Sequence, residues 1–186
     1  TERQVNHLTR LIDELLDVSR ISEGKIVLQT QPLDLLDVIA QSVETIRPFI
    51  DSRRHQLTKS IPEGALYLRG DFARLSQVVS NLLHNAAKYT DEGGAIELSV
   101  TIDRGEVTLA VRDNGIGIEP ELLPKVFDLF EQGNRSLDRS QGGLGVGLTL
   151  AHRLVQLHNG RIEAFSAGPG LGSEFRVILP CLTEVK

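Results

Sequence analysis

Between residues 96 and 111 the apolar side chains fall on every second position. Ile96, Leu98, Val100 and Ile102 alternate with Glu97, Ser99 and Thr101, and after Asp103-Arg104-Gly105 the period returns in Val107, Leu109 and Val111. Only an extended chain places successive side chains on opposite faces, so the two runs predict a hairpin with one face buried and one wet. Further alternating runs stand at 162–165 and 175–179. Two short strands are expected at about 57–61 and 65–68, and Ile26 and Leu28 begin another that leads into the globular part.

Between these runs the spacing changes to three and four. Leu36, Ile39, Val43 and Ile46 mark one helix, with Pro48 expected to kink or end it. A second starts at Asp71, a good cap, and buries Leu75, Val78, Val79, Leu82, Leu83 and Ala86; a third spans about 144–157 and stops at His158-Asn159-Gly160. An amphipathic helix over 5–21 precedes them, its stripe formed by Val5, Leu8, Leu11, Ile12, Leu15, Leu16 and Val18, and Ser22-Glu23-Gly24 ends it. The pattern predicts an α/β domain: a mixed, mostly antiparallel sheet with helices on one face.

The length of 186 residues, 40% of them hydrophobic, fits one domain of about 150 residues plus an appendage. A net charge of −5 argues against a general nucleic-acid binder, which needs a basic face, so any phosphate recognition must be local. Cys181 is the only cysteine, which excludes an intrachain disulfide and suits a reducing compartment; its simplest role is a small side chain beside the last strand. No apolar run is long enough to span a bilayer and no signal-peptide pattern is present, so the expectation is a soluble, cytoplasmic piece without membrane contact. The lack of methionine and a start at Thr1 inside a helical pattern suggest a fragment of a longer chain whose other segments are free to include a membrane anchor.

Three stretches carry chemistry: Asn81-Leu-Leu-His-Asn85-Ala-Ala-Lys88-Tyr89-Thr90, Asp113-Asn-Gly115-Ile-Gly117-Ile, and Gly142-Gly143-Leu144-Gly145-Val146-Gly147-Leu148. Asn81 and Asn85 are four apart and share a helix face. Asparagine is a weak helix former, so two in one helix ask for a reason beyond a polar surface. The neutral oxygen of Asn85 suits Mg²⁺, a hard ion that keeps several waters beside few protein ligands, and Asn81 is a candidate second ligand, direct or through water. Lys88 brings a mobile charge to the same helix end, within reach of a phosphate, and Tyr89 a hydrogen-bond donor.

Asp113 follows directly on an alternating strand, which puts its carboxylate at the sheet's edge. An acceptor-only group there suits the amino group of adenine and repels the carbonyl of guanine. Asp-Asn-Gly by itself is a turn signal; Gly115 and Gly117 behind it favour a close approach of backbone to a flat ligand. The third stretch is no P-loop, since no Gly-Lys-Ser/Thr follows, and no dinucleotide fingerprint, since no strand leads into it. It offers a flexible lead-in to a helix whose free amides suit a triphosphate. Residues 131–143, polar and glycine-bearing, read as a mobile lid in which Arg135 and Arg139 are as well explained by a solvated loop as by phosphate contact. Phe127 and Phe130 are assigned to packing, and Ser173 and Glu174 are weak catalytic candidates.

The order of these stretches resembles the catalytic and ATP-binding domain of sensor histidine kinases, in the superfamily of gyrase, heat-shock chaperone, histidine kinase and mismatch-repair ATPases. The first matches the asparagine box and the next two the first and second glycine boxes. Val126-Phe127-Asp-Leu-Phe130-Glu is similar to the phenylalanine box, and Gly172-Ser173-Glu174-Phe175 to the last glycine box. The resemblance implies a two-layer α/β sandwich, the Bergerat fold, over 29–186, with 1–28 as the second helix of a dimerisation hairpin and its linker. It implies ATP and Mg²⁺ as cofactors, with the metal on Asn85. The nucleotide would lie against Lys88, Tyr89, Asp113, Gly115, Gly117, Arg135, Gly143, Leu144, Gly145, Val146, Gly147 and Leu148. Asn81, Asn85 and Lys88 would be catalytic, and the partners would be a phosphoacceptor histidine helix and a response regulator receiver domain.

Relatives that hydrolyse ATP carry a glutamate four residues before the metal-binding asparagine; here Asn81 stands there, and an amide is no general base. Transfer to a nucleophile supplied from outside fits better. His7 is followed by Leu8 and Thr9 rather than an acidic residue, and His55, His84, His152 and His158 lack the acceptor context too, so the fragment is expected not to phosphorylate itself. The alternatives are a related protein-serine kinase of the anti-sigma type and a nucleotide-binding module without transfer activity. An uncovered stripe on the first helix predicts self-association.

Overall fold

The computed structural model describes residues 5, 9, 12, 13, 16, 17, 19, 20, 24–129 and 146–182. In chain order the elements are β1 (Gln31–Asp34), α1 (Leu35–Ser52), β2 (Gln56–Ser60), β3 (Tyr67–Gly70), α2 (Phe72–Tyr89), β4 (Ala95–Asp103), β5 (Glu106–Asp113), a 3₁₀ turn (Leu123–Lys125), α3 (Gly147–Leu157), β6 (Arg161–Phe165) and β7 (Ser173–Pro180). The main sheet runs β2-β4-β5-β7-β6, antiparallel except for the parallel pair β2 and β4, while β1 and β3 form a small antiparallel pair. The described residues of the N-terminal segment up to Arg20 are helical, with Val5, Ile12 and Leu16 exposed. No helix among the described residues is long and apolar enough to cross a membrane.

The hairpin read from the alternation is β4 and β5, in the register Ile96 opposite Asp113 and Asp103 opposite Glu106. Its apolar face joins Phe175, Val177 and Leu179 of β7 beneath Val38, Ile39, Leu82, Leu83, Leu150 and Leu154 of the helices, giving two layers with one core. The other face is wet and tiled with opposite charges. Arg112 lies between Glu97 and Glu174, Arg176 bonds Glu174 and sits 4.5 Å over the Phe165 ring, and Arg161 forks onto Glu106 at 2.7 and 2.9 Å. The hydrogen bond from Arg161 holds Glu106 below its ordinary carboxylate range, and Glu106 in turn raises Arg161.

Two local expectations need correction. Residues 25–30 form no strand; the Gln29 N–H donates to Asp71 Oδ2 at 3.0 Å, a side-chain partner rather than a ladder, and pairing begins only at Gln31. Nor does Pro48 end its helix, because α1 runs on to Ser52. Ile46 and Ile50 on either side of it are buried, and that burial outweighs the backbone bond which proline deletes.

The end of α1 is a Schellman motif: Arg54 takes a left-handed φ of 54°, its N–H bonds Asp51 O at 3.0 Å, and the His55 N–H bonds Ile50 O at 3.1 Å. The same motif closes α3, with Asn159 at φ 59° and Gly160 N bonded to Val155 O at 3.0 Å. Arginine is a poor occupant of that conformation, and its ion pair with Glu92, at 3.3 Å, is exposed and weak. Arg54→Gly is therefore expected to stabilise the fold by roughly 0.5–1 kcal/mol, read from the urea midpoint; a lower midpoint would refute the assignment.

Candidate functional site

Helix α2 is the spine of the site. Asp71 caps it, its Oδ1 accepting from Arg74 N at 3.2 Å, and the stripe from Leu75 to Ala87 is buried. The remaining face carries half-buried Asn81, Asn85 and Lys88, then exposed Tyr89. At one end the Asn81 side-chain amide donates to Gly147 O at 3.1 Å, joining α2 to the first turn of α3. At the other the Ile116 N–H donates to Tyr89 O at 3.0 Å. The two junctions stand about 12 Å apart along the helix. Lys88 Nζ lies 3.2 Å from Tyr89 Oη and 4.7 Å above its ring centre, a cation held against an aromatic face.

Asp113 ends β5, which lies between β4 and β7, so its carboxylate stands at the end of an interior strand rather than at the sheet's edge. It is 6% exposed. Oδ1 accepts from Gly115 N at 2.9 Å and Oδ2 from Ser173 Oγ at 2.6 Å, a short charge-assisted bond. Both oxygens are aimed, and each keeps a lone pair for a further donor. Asn114 leaves the site, its Oδ1 capping Ala95 N at 2.8 Å.

The glycines after Asp113 answer first to the chain itself. A Cβ on Gly115 would lie 2.2 Å from Tyr89 O, and one on Gly117, at φ 71°, 2.1 Å from Gly168 O. The segment is threaded between the end of α2 and the loop joining β6 to β7, where Ser166 Oγ donates to Gly172 O at 2.7 Å and accepts from Ile118 N at 2.9 Å. Sequence reasoning missed Ser166, gave Gly172 only as the start of the last glycine box and undervalued Ser173. Ser173 sits opposite Asp113 in the β5–β7 register, a relation no local pattern displays.

From the third stretch, Val146 is buried and Gly147 and Leu148 open α3; Arg135, Arg139, Gly143, Leu144 and Gly145 lie outside the described residues, as do the lid at 131–143 and Phe130. Phe127 has the packing role expected of it, 5.1 Å from the His152 ring and edge-on to Phe175 at 6.2 Å. Burial, then Arg153, pulls His152 below its ordinary range, and Asp128 opposes them. The structure thus brings Asn81 to Gly147, and Tyr89 to the Asp113–Gly117 segment, on one helix.

A model of the family described as histidine kinase-, DNA gyrase B-, and HSP90-like ATPases matches residues 70–183. The chain belongs to this family. The sensor histidine kinase TrcS of Mycobacterium tuberculosis is 38% identical over 98% of the chain, and the signal transduction histidine-protein kinase BaeS of Escherichia coli 34% over 96%. The chain spans only 36% and 38% of the length of those two proteins. Among solved structures, full-length ShkA in complex with AMPPNP superposes with a TM-score of 0.82 at 26% identity, over 99% of this chain and 38% of that one. The mycobacterial sensor histidine kinase MprB gives 0.71 at 28%, over 83% of this chain and 99% of its own. The region is an ATP-binding catalytic domain of the sensor histidine kinase type.

In this kinase domain the identity of Asn81 has a geometric reason. Its nitrogen faces the carbonyl of Gly147, so a donor is required there, and a glutamate, acceptor only, would set two acceptors against each other. The amide oxygen is left for another partner. Among the described residues no three His, Cys, Asp or Glu side chains cluster, so a divalent cation on this helix would rest on the amide oxygens of Asn85 and Asn81 together with phosphate. That donor set fits Mg²⁺.

Proposed function

We propose that this domain binds Mg-ATP across α2 and donates the γ-phosphoryl group to a histidine on a dimerisation hairpin, from which a response regulator receiver domain would receive it. Supporting this reading above all is Asp113, a buried carboxylate with both oxygens oriented and one acceptor position free on each. Such a group accepts from the 6-amino group of adenine and would face the carbonyl that guanine carries at the same place. Asn85, with Asn81 behind it, would hold Mg²⁺, which when bound neutralises charge on the β- and γ-phosphates. Lys88 and Tyr89 would meet the phosphates from the end of α2, and residues 143–148 and Arg135 are assigned to the same phosphates. The domain's own work is positioning and charge neutralisation; an amide at 81 cannot serve as the base that activates water.

Residues 1–28 are assigned to the second helix of that hairpin and its linker. Asp17 accepts from Arg74 Nη1 at 2.8 Å and Gln77 Nε2 at 3.1 Å, which docks that helix on the start of α2, and the exposed Val5, Ile12 and Leu16 offer an apolar face for self-association. Calorimetry should show ATP binding strengthened by Mg²⁺ and GTP binding far weaker. With γ-labelled ATP, an acid-labile label should appear on a supplied hairpin carrying an acceptor histidine and not on this chain. Equal affinity for GTP would refute the adenine reading, and stable label on the chain itself the donor reading.

A further inference from the structure

The last turn of α2 carries Asn85, Lys88 and Tyr89, yet its carbonyls are not held by the helix. A helix leaves its final C=O groups without intrahelical partners, and what binds them sets how the end sits. Here Tyr89 O is taken by Ile116 N at 3.0 Å. Ala87 O faces His55 Nε2 at 2.8 Å, and Thr90 O accepts from Arg53 Nη2 at 3.0 Å. His55 Nε2 thus stands between Ala87 O, which can only accept, and Arg53 Nε at 3.3 Å, which can only donate; a proton on Nε2 serves the shorter contact, to Ala87 O.

From this geometry we infer that Arg53 and His55, on the turn between α1 and β2, are positioning residues for the metal and phosphate half of the nucleotide site. The inference rests on the Mg-ATP reading above. Neither residue need touch the ligand. The Schellman closure of α1 fixes the backbone of residues 53–55, and that turn is itself pinned, because Gly93 N donates to Arg53 O at 2.9 Å and Gln56 N to Gly94 O at 2.9 Å. From this base Arg53 sends a cation to the negative end of α2, where charge and helix dipole agree. His55 is buried, 7% exposed, so its bond to Ala87 O is made out of water. Both clamps act on the turn that aims Asn85 and Lys88. The Asp113 carboxylate is oriented separately, by Gly115 N and Ser173 Oγ; its segment joins α2 through the bond from Ile116 N to Tyr89 O, which involves neither Arg53 nor His55.

This separation gives the test. In the whole chain, nucleotide affinity is measured by calorimetry with Mg²⁺ and with chelator, for wild type, Arg53→Ala, Arg53→Lys and Arg53→Ala combined with Asn85→Ala. The factor by which Mg²⁺ strengthens ATP binding should fall about tenfold in Arg53→Ala, while affinity in chelator stays within about twofold. Arg53→Lys keeps a cationic donor and should recover part of the loss; Arg53→Ala should add nothing once Asn85 is gone. Equal losses with and without Mg²⁺, alongside a lower Tm, would show a merely structural role and overturn the inference, as would an unchanged Mg²⁺ factor. If Arg53→Ala does not fold, the Lys variant and Arg53→Gln decide by the same ratio. Wild type that binds no ATP would overturn the reading beneath it, a result distinct from either.

Discussion

Replacing Asp113 with alanine should weaken ATP binding by about a hundredfold or more, the largest effect on affinity expected from one side chain here. The carboxylate is buried, and its two oxygens are held by Gly115 N at 2.9 Å and Ser173 Oγ at 2.6 Å, so it meets an incoming amino group already desolvated and aimed. A hydrogen bond to a charged group contributes about 1.5–3 kcal/mol, which reaches that factor at its upper end; the two donors the substitution strands cost stability in the free and bound domain alike. Asp113→Asn keeps the shape but must turn an N–H toward one of those donors, so it should fall close to alanine. Ser173→Ala removes the orienting bond alone and should cost nearer tenfold. Calorimetry in Mg²⁺ measures all three; an Asp113→Ala domain that binds ATP within twofold of wild type would place adenine elsewhere.

Gly172→Ala should be among the most destabilising small substitutions at the described residues. Its φ is 71°, and a Cβ there would stand 2.0 Å from Asp113 O and 3.0 Å from Asn114 Cα, both main-chain atoms at the end of β5. Either the β6–β7 loop or the Asp113 turn must shift, and the loss should be about 3 kcal/mol or more, with ATP binding weakened because Asp113 moves. Gly170→Ala separates the two causes: its φ is 81° and a Cβ there meets no atom within 4 Å, so it bears the conformational strain alone, about 1–2 kcal/mol. Urea unfolding of both decides. If Gly172→Ala costs no more than Gly170→Ala, the close approach of loop and strand end has no energetic weight.

Much of the fold was legible because it is local. The period of two in Ile96 to Val111 and the three-and-four spacing of Leu75 to Ala86 each state which face of one element is buried, and the structure buries those faces except at Ile102, which is exposed near the end of β4. Asp71 as a cap and His158-Asn159-Gly160 as a stop also hold, since capping is settled within a few residues. The misjudged points are those where a distant partner decides: Pro48, kept helical by burial on both sides of it, and residues 25–30, whose Gln29 N–H goes to Asp71, 42 positions away.

The site divides the same way. Asn81, Asn85, Lys88 and Asp113 were visible as residue types in a given order, because amide oxygens, an ammonium and a carboxylate have intrinsic chemistry. Their arrangement was not. Ser173 became the orienter of Asp113 only through strand register, Asn81 a donor to Gly147 only through helix packing, and Arg53 a clamp on Thr90 only because the turn after α1 falls against the end of α2. Chemical capacity and local conformation follow from residues within a turn or two of each other. The aim of a carboxylate or an amide depends on hydrogen bonds closed across 37 to 66 residues, and those exist only once the hydrophobic core has drawn the elements together.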